Sequence, residues 1–182
     1  MSPLIFTPDE ILKIHFTLHR EIDLEPDIKL LSRICLDINR KFADATPDLG
    51  TVFDVASLFG AKLTHFPWSK HTNRAKETAF AVCMMYLNFY GIPMKCDNQQ
   101  LFNVMRDHCT TGEHFSARLL LSYLDLISET TGQTGTASDL MKIADATLRP
   151  LSQPKNLADA VEAIKSSFTI DASIEAYDSW AC

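Results

Sequence analysis

Apolar positions recur at helical spacing almost from the first residues of the chain. Thr7-Pro8-Asp9-Glu10 reads as a capping box, with a hydroxyl cap, proline at the first helical position and glutamate at the third. It opens ILKIHFTLHR, where Ile11, Ile14 and Leu18 share one face. Pro26-Asp27 starts a second helix, whose Leu30, Leu31, Ile34, Ile38 and Phe42 trace an apolar stripe. DATPDLG (44–50) is a turn cluster. Val52, Val55, Ala56, Phe59 and Leu63 predict a third helix over about 51–63. A fourth follows over about 74–90 and is apolar nearly all round, which suits the centre of a fold. Gly91 and Pro93 close it, glycine as C-cap and proline just beyond.

Further along, Asp97-Asn98-Gln99-Gln100 caps LFNVMRD, and Thr111-Gly112-Glu113 opens HFSARLLLSYLDLIS. ETTGQTGT (129–136) is the clearest linker. A helix from Thr136 to Leu148 and another after Pro154 follow it. The last stretch, FTIDASIEAYDSWAC, is open to a strand, a helix or an ordered tail. No run alternates with period two and no internal repeat is present. The pattern predicts an all-α bundle over residues 1–128, a linker at 129–136 and a C-terminal helical extension over 137–182.

At 182 residues the chain fits one domain with a short appended segment. A net charge of −6 argues against non-specific nucleic-acid binding, which needs a basic surface. The longest apolar run, AFAVCMMYLNFYGI (79–92), is shorter than the roughly 20 residues of a membrane-spanning helix. MSPLIFTPDE lacks the charged and apolar regions of a secretory signal. The five cysteines are odd in number and form no CxxC pair, so the expectation is reduced, mostly buried thiols in a cytoplasmic protein.

One stretch departs from helical core: THFPWSKHTNRAKETAF (64–80) concentrates histidine, lysine, arginine and asparagine ahead of the most apolar helix. From Lys70 to Glu77 the formal charge is +2. Basic and amide groups at a helix mouth suit a phosphate. The same residues equally suit a solvated linker, with His65 stacked on Phe66 and Trp68 at a helix end.

The order of these features resembles the Fic/Doc family, and the death-on-curing proteins in particular. FTPDEILKIH is similar to the opening of Doc proteins, and FDVASLFGAKLTH to the helix leading into the family histidine. KETAFAVCMMYLNFYGIPM resembles the buried helix after the motif, and TTGE (110–113) a turn further on. Together these cover roughly residues 5–127. In the family, a histidine acts as general base on a hydroxyl. Loop amides and the next helix N-terminus cradle nucleotide phosphates, and an acid helps to hold magnesium.

Carried onto this chain, the resemblance implies His65 as base with His71 as a second candidate. Lys70, Asn73, Arg74 and Lys76 would bind phosphate, and ATP with Mg2+ would be the cofactor. The implied activity is transfer of a phosphoryl or nucleotidyl group to a protein hydroxyl. The expected target is the translation machinery, elongation factor Tu in particular, and an antitoxin is a further expected partner. The motif itself is altered. Phe66-Pro67 follows His65 where the family has a spacer and then phenylalanine, and no acid lies between His65 and Lys76. A catalytically inactive Fic-fold binding module, serving as inhibitor, adaptor or effector surface, is therefore the alternative expectation. An unrelated helical bundle is the third.

Other groupings weigh less. His15 and His19 sit four residues apart, a spacing that can bind zinc, but no HExxH pattern surrounds them. The expectation is a surface or half-buried pair. His108, Cys109 and His114 lack a fourth ligand, so no metal site is expected. Met84, Met85, Tyr86, Phe89 and Tyr90 read as core. The family resemblance, in which a helix or antitoxin segment places a glutamate in the nucleotide site, implies that role for Glu162 or Glu175 in the extension. Trp180 would dock the tail onto the bundle or onto a partner.

Overall fold

Each of the first three helices begins at a side chain that satisfies its exposed amides. In α1 (Pro8–Leu18) the capping box closes in both directions. Thr7 Oγ1 accepts from the Glu10 N–H at 3.3 Å, and Glu10 Oε2 accepts from the Thr7 N–H at 2.8 Å. The Asp27 carboxylate caps α2 (Ile28–Phe42) by accepting from the Leu30 N–H at 3.0 Å. The Asp48 carboxylate caps α3 (Leu49–His65), accepting from the Thr51 N–H at 2.8 Å. Each such cap contributes about 1 kcal/mol. Helix α4 spans Thr72–Phe89 and has no side-chain cap, α5 spans Gln99–His108 and α6 spans Glu113–Thr131.

The computed structural model describes residues 2, 3, 5–19, 25–92, 99–108 and 113–131, with backbone alone at 107–108, 113–114 and 126–131. Among these residues the chain is all-helical, with six α-helices and no strand. Helix α3 starts earlier than the apolar stripe implies, because Asp48 within the turn cluster is itself the cap. Helix α4 likewise starts at Thr72. Helix α6 continues to Thr131, past the start of the expected linker. Residues 132–182 lie outside the described residues, and with them the extension, Glu162, Glu175 and Trp180. So do Asp97, Cys109, Thr111 and Gly112, and the side chains of His108 and His114.

Helices α3 and α4, joined by a short loop, form the most extensive packing in the molecule. Every residue of α4 from Glu77 to Leu87 is buried. Helices α1 and α5 pack on α4, and α2, α5 and α6 on α3. Ahead of α1, Phe6 inserts its ring among Phe59, Tyr86 and Phe89, at centroid distances of 5.9, 5.6 and 5.4 Å. Burying such a side chain contributes roughly 1.5–3 kcal/mol, with an edge-to-face increment of about 1 kcal/mol. On the other side, Phe80 meets Phe102 at 5.5 Å and Phe53 meets Tyr123 at 5.9 Å. Gly60 lets α5 come close: a Cβ there would lie 3.1 Å from Met105 Sδ.

Gly91, with φ of 75°, turns the chain off α4 in a conformation that side chains with a Cβ rarely adopt. Its N–H donates to the Asn88 carbonyl and the Ile92 N–H to the Leu87 carbonyl, both at 3.0 Å. Cys35 and Cys83 are buried, and burial pushes the Cys35 pKa up to about 12. Among the described residues no helix is long and apolar enough to cross a membrane.

Candidate functional site

The α3–α4 loop, Phe66 to His71, is built around one buried side chain. Trp68 is 0% exposed. Its indole N–H donates to the Leu63 carbonyl at the end of α3, at 2.8 Å. Its backbone N–H bonds the Phe66 carbonyl at 2.9 Å, and its own carbonyl accepts from the Asp27 N–H at 2.6 Å. The loop is therefore tied to the end of α3 and the start of α2. After the tryptophan, Ser69 Oγ accepts from the His71 N–H at 3.2 Å, fixing the approach to α4.

The residues expected to carry chemistry are distributed around this plug. His65 closes α3 and is exposed, and His71 occupies the N-cap of α4, also exposed. The two bracket the loop at its ends. Phe66 is 42% exposed, with the Lys62 ammonium 5.2 Å from its ring centre. Lys70 forms an exposed ion pair with Glu25, whose carboxyl it holds below the usual range. Arg74 Nη1 lies 3.3 Å from Glu77 Oε2, one helical turn further on. Asn73 is exposed and Lys76 half-buried.

Beneath the loop lies a polar cluster that joins the His15 and His19 pair of α1 to Thr78 and Arg74 of α4. His15 is 0% and His19 5% exposed, which corrects the expectation of a surface or half-buried pair. Both sit on the face of α1 that carries Ile11 and Ile14 and turn toward α4. His15 Nδ1 lies 2.6 Å from Thr78 Oγ1, and His19 Nε2 lies 3.2 Å from the same oxygen. His19 Nε2 is also 3.2 Å from the Arg74 carbonyl. A carbonyl only accepts, so Nε2 of His19 carries the proton and Nδ1 is the lone pair of the neutral ring. That Nδ1 lies 3.6 Å from Glu77 Oε2.

The His15 ring packs edge-on to Trp68 with centroids 4.7 Å apart and an interplanar angle of 61°. The His19 ring lies 5.1 Å from that of His15. His15 Nε2 is buried and has no hydrogen-bond partner, as does Thr64 Oγ1. Both histidines are held neutral. Burial, with help from His19 and His71, lowers the His15 pKa to about 3. Burial and the Arg74 charge lower that of His19 to about 4.

The loop does not fit a magnesium triphosphate held as the family holds it. Glu77 is the first acid after His65, and its carboxylate points at His19 and Arg74, 3% exposed. Among the described residues, no group of three or more histidines, cysteines or acids is placed to hold a metal ion. The stacking of His65 on Trp68 expected of a plain linker is replaced by Trp68 against His15. The signal for the buried cluster was the 3.6-residue period itself. Positions 11, 14, 15 and 18 share a face, and 19 extends it. Compared with known protein families, with curated proteins and with solved structures, the chain has no match.

Proposed function

We propose that the chain is a Fic/Doc-like helical domain built around α4 that works as a protein-binding module, without transferase chemistry at its α3–α4 loop. The observation that carries this reading is the engagement of the loop's own groups. Arg74 pairs with buried Glu77, Lys70 with Glu25, and Trp68 fills the interior beneath the helix mouth. A phosphate arriving there would have to compete with two carboxylates for the cations that the resemblance assigns to it. The loop instead presents Phe66, Pro67, His65 and Asn73 to solvent, an apolar and polar mixture suited to contact with another protein. An inhibitor, adaptor or effector role in the cytoplasm follows from this reading, as does pairing with an antitoxin-like protein.

The transferase reading retains one support: the first turn of α4 has no side-chain cap, and an uncapped helix start attracts anions. In that reading ATP with Mg2+ is the donor and a hydroxyl of the translation machinery the acceptor. The two readings separate in a bacterial lysate supplied with magnesium and ATP labelled at the γ or the α phosphate. Wild type, His65→Ala and His71→Ala are compared. The expected result is no band that depends on either histidine, and no heat of ATP binding by calorimetry. A histidine-dependent band would overturn the binding-module reading, γ label meaning phosphotransfer and α label nucleotidyl transfer.

A further inference from the structure

The histidine pair on α1 is unlike a surface pair in what it does to the helix that carries it. At its N-terminal end α1 is fixed by the capping box, by buried Ile11 and by the Phe6 ring just ahead of it. Its C-terminal end, from His15 to His19, is held on α4 through the Thr78 hydroxyl and the Arg74 carbonyl, and on the loop through the edge of Trp68. The charged and titratable groups facing the pair are few. His71 comes from the loop and opposes charge on both rings. From α4, Arg74 opposes charge on His19, while the Glu77 carboxylate lies beside His19 but is shared with Arg74. The groups acting on His15 are His19 and His71, and both resist its protonation.

We propose that the last turns of α1, His15 to His19, are an acid-released latch: docked on α4 when both rings are neutral, and expelled with the Trp68 loop when they are protonated. The physical reason is that a buried imidazolium at His15 has its second nitrogen, Nε2, without a partner and, among the described residues, no carboxylate of its own. The docked state binds fewer protons than the released one. Docking is therefore complete above the ordinary histidine pKa of about 6.5 and weakens as pH falls below it. By pH 5 the docking equilibrium falls on the order of thirtyfold for each histidine. Release would uncover Glu77, Thr78 and the inner face of Trp68, so this end of the bundle would present a different surface in acid.

The test is amide hydrogen exchange of the full chain between pH 7.5 and 5, corrected for intrinsic rates. Expected is a loss of protection in residues 14–19 of tenfold or more, from a protection that stays below that of α3 and the C-terminal half of α4 at every pH, the mark of local opening. The double variant His15→Asn, His19→Gln supplies the same hydrogen-bonding atoms without titrating, and its protection should be flat over this range. Should that variant fail to fold, the wild-type His15 and His19 proton shifts decide by NMR. They are expected flat from pH 8 to the onset of release, whereas a simple midpoint near 6.5 in the docked state overturns the proposal. Unchanged protection at pH 5, or residues 14–19 protected as strongly as α3 at each pH, overturns it as well.

Discussion

Two pairs of histidines meet at the same end of this molecule in opposite circumstances. His65 and His71 flank the α3–α4 loop and stand in solvent. His15 and His19 lie within a few ångströms of that loop but under it, packed on Trp68 and hydrogen-bonded to Thr78. The pair in the loop is exposed, and the pair with no motif around it is built into the core. What separates them is the neighbour. A buried polar group is tolerated when another element supplies its partner, and α4 supplies a hydroxyl and a carbonyl about one turn apart.

The sharpest way to break this contrast is to remove the plug. Trp68→Ala should destabilise the domain by about 3–5 kcal/mol in urea denaturation, the range for deleting a large buried aromatic. A loss under about 1 kcal/mol would mean that the ring is not core. Acid comes next. Between pH 7 and pH 5 stability should fall by about 2 kcal/mol for each buried histidine, because both pKa values are depressed in the folded state and recover on unfolding. His65→Ala should leave this pH slope unaltered.

Thr78→Val keeps the shape but removes the oxygen that both rings share, and should cost about 1–3 kcal/mol at pH 7. The pH dependence should persist in this variant, because burial rather than the Thr78 oxygen depresses both pKa values. Thr64→Val is expected to be neutral or stabilising by up to about 1 kcal/mol, since it deletes a buried hydroxyl without a partner. The smallest effect belongs to the exposed pair: His65→Ala and His71→Ala should each stay within about 0.5 kcal/mol of wild type.

The helices were largely legible because their signals are local. The Thr7 box and the Asp27 cap sit at the starts that their spacing implies, and the Leu31, Ile34, Ile38 and Phe42 stripe is buried as its period requires. Asp48 was less legible, since aspartate after proline also suits a turn and only the amide of Thr51 decides between them. The polar cluster was illegible for a different reason. Periodicity places His15 on the inner face of α1, but it cannot say that Thr78, far along the chain, waits there with a hydroxyl. Trp68 presents the same problem, because a tryptophan between proline and serine reads as loop until its indole N–H is seen on Leu63. Resemblance drew attention to the α3–α4 loop and its exposed residues, whereas the partners of the buried cluster are distant in sequence.

The bond from the Asp27 N–H to the Trp68 carbonyl has a kinetic consequence. It joins the start of α2 to the far end of α3, so it closes only after the intervening helices have come together, and loop-closure entropy delays it relative to contacts within the α3–α4 hairpin. The tryptophan should then settle late, and its substitution should speed unfolding more than it slows folding. The part of the domain that most resembles an active site would be the last to acquire its shape during folding and the first to lose it.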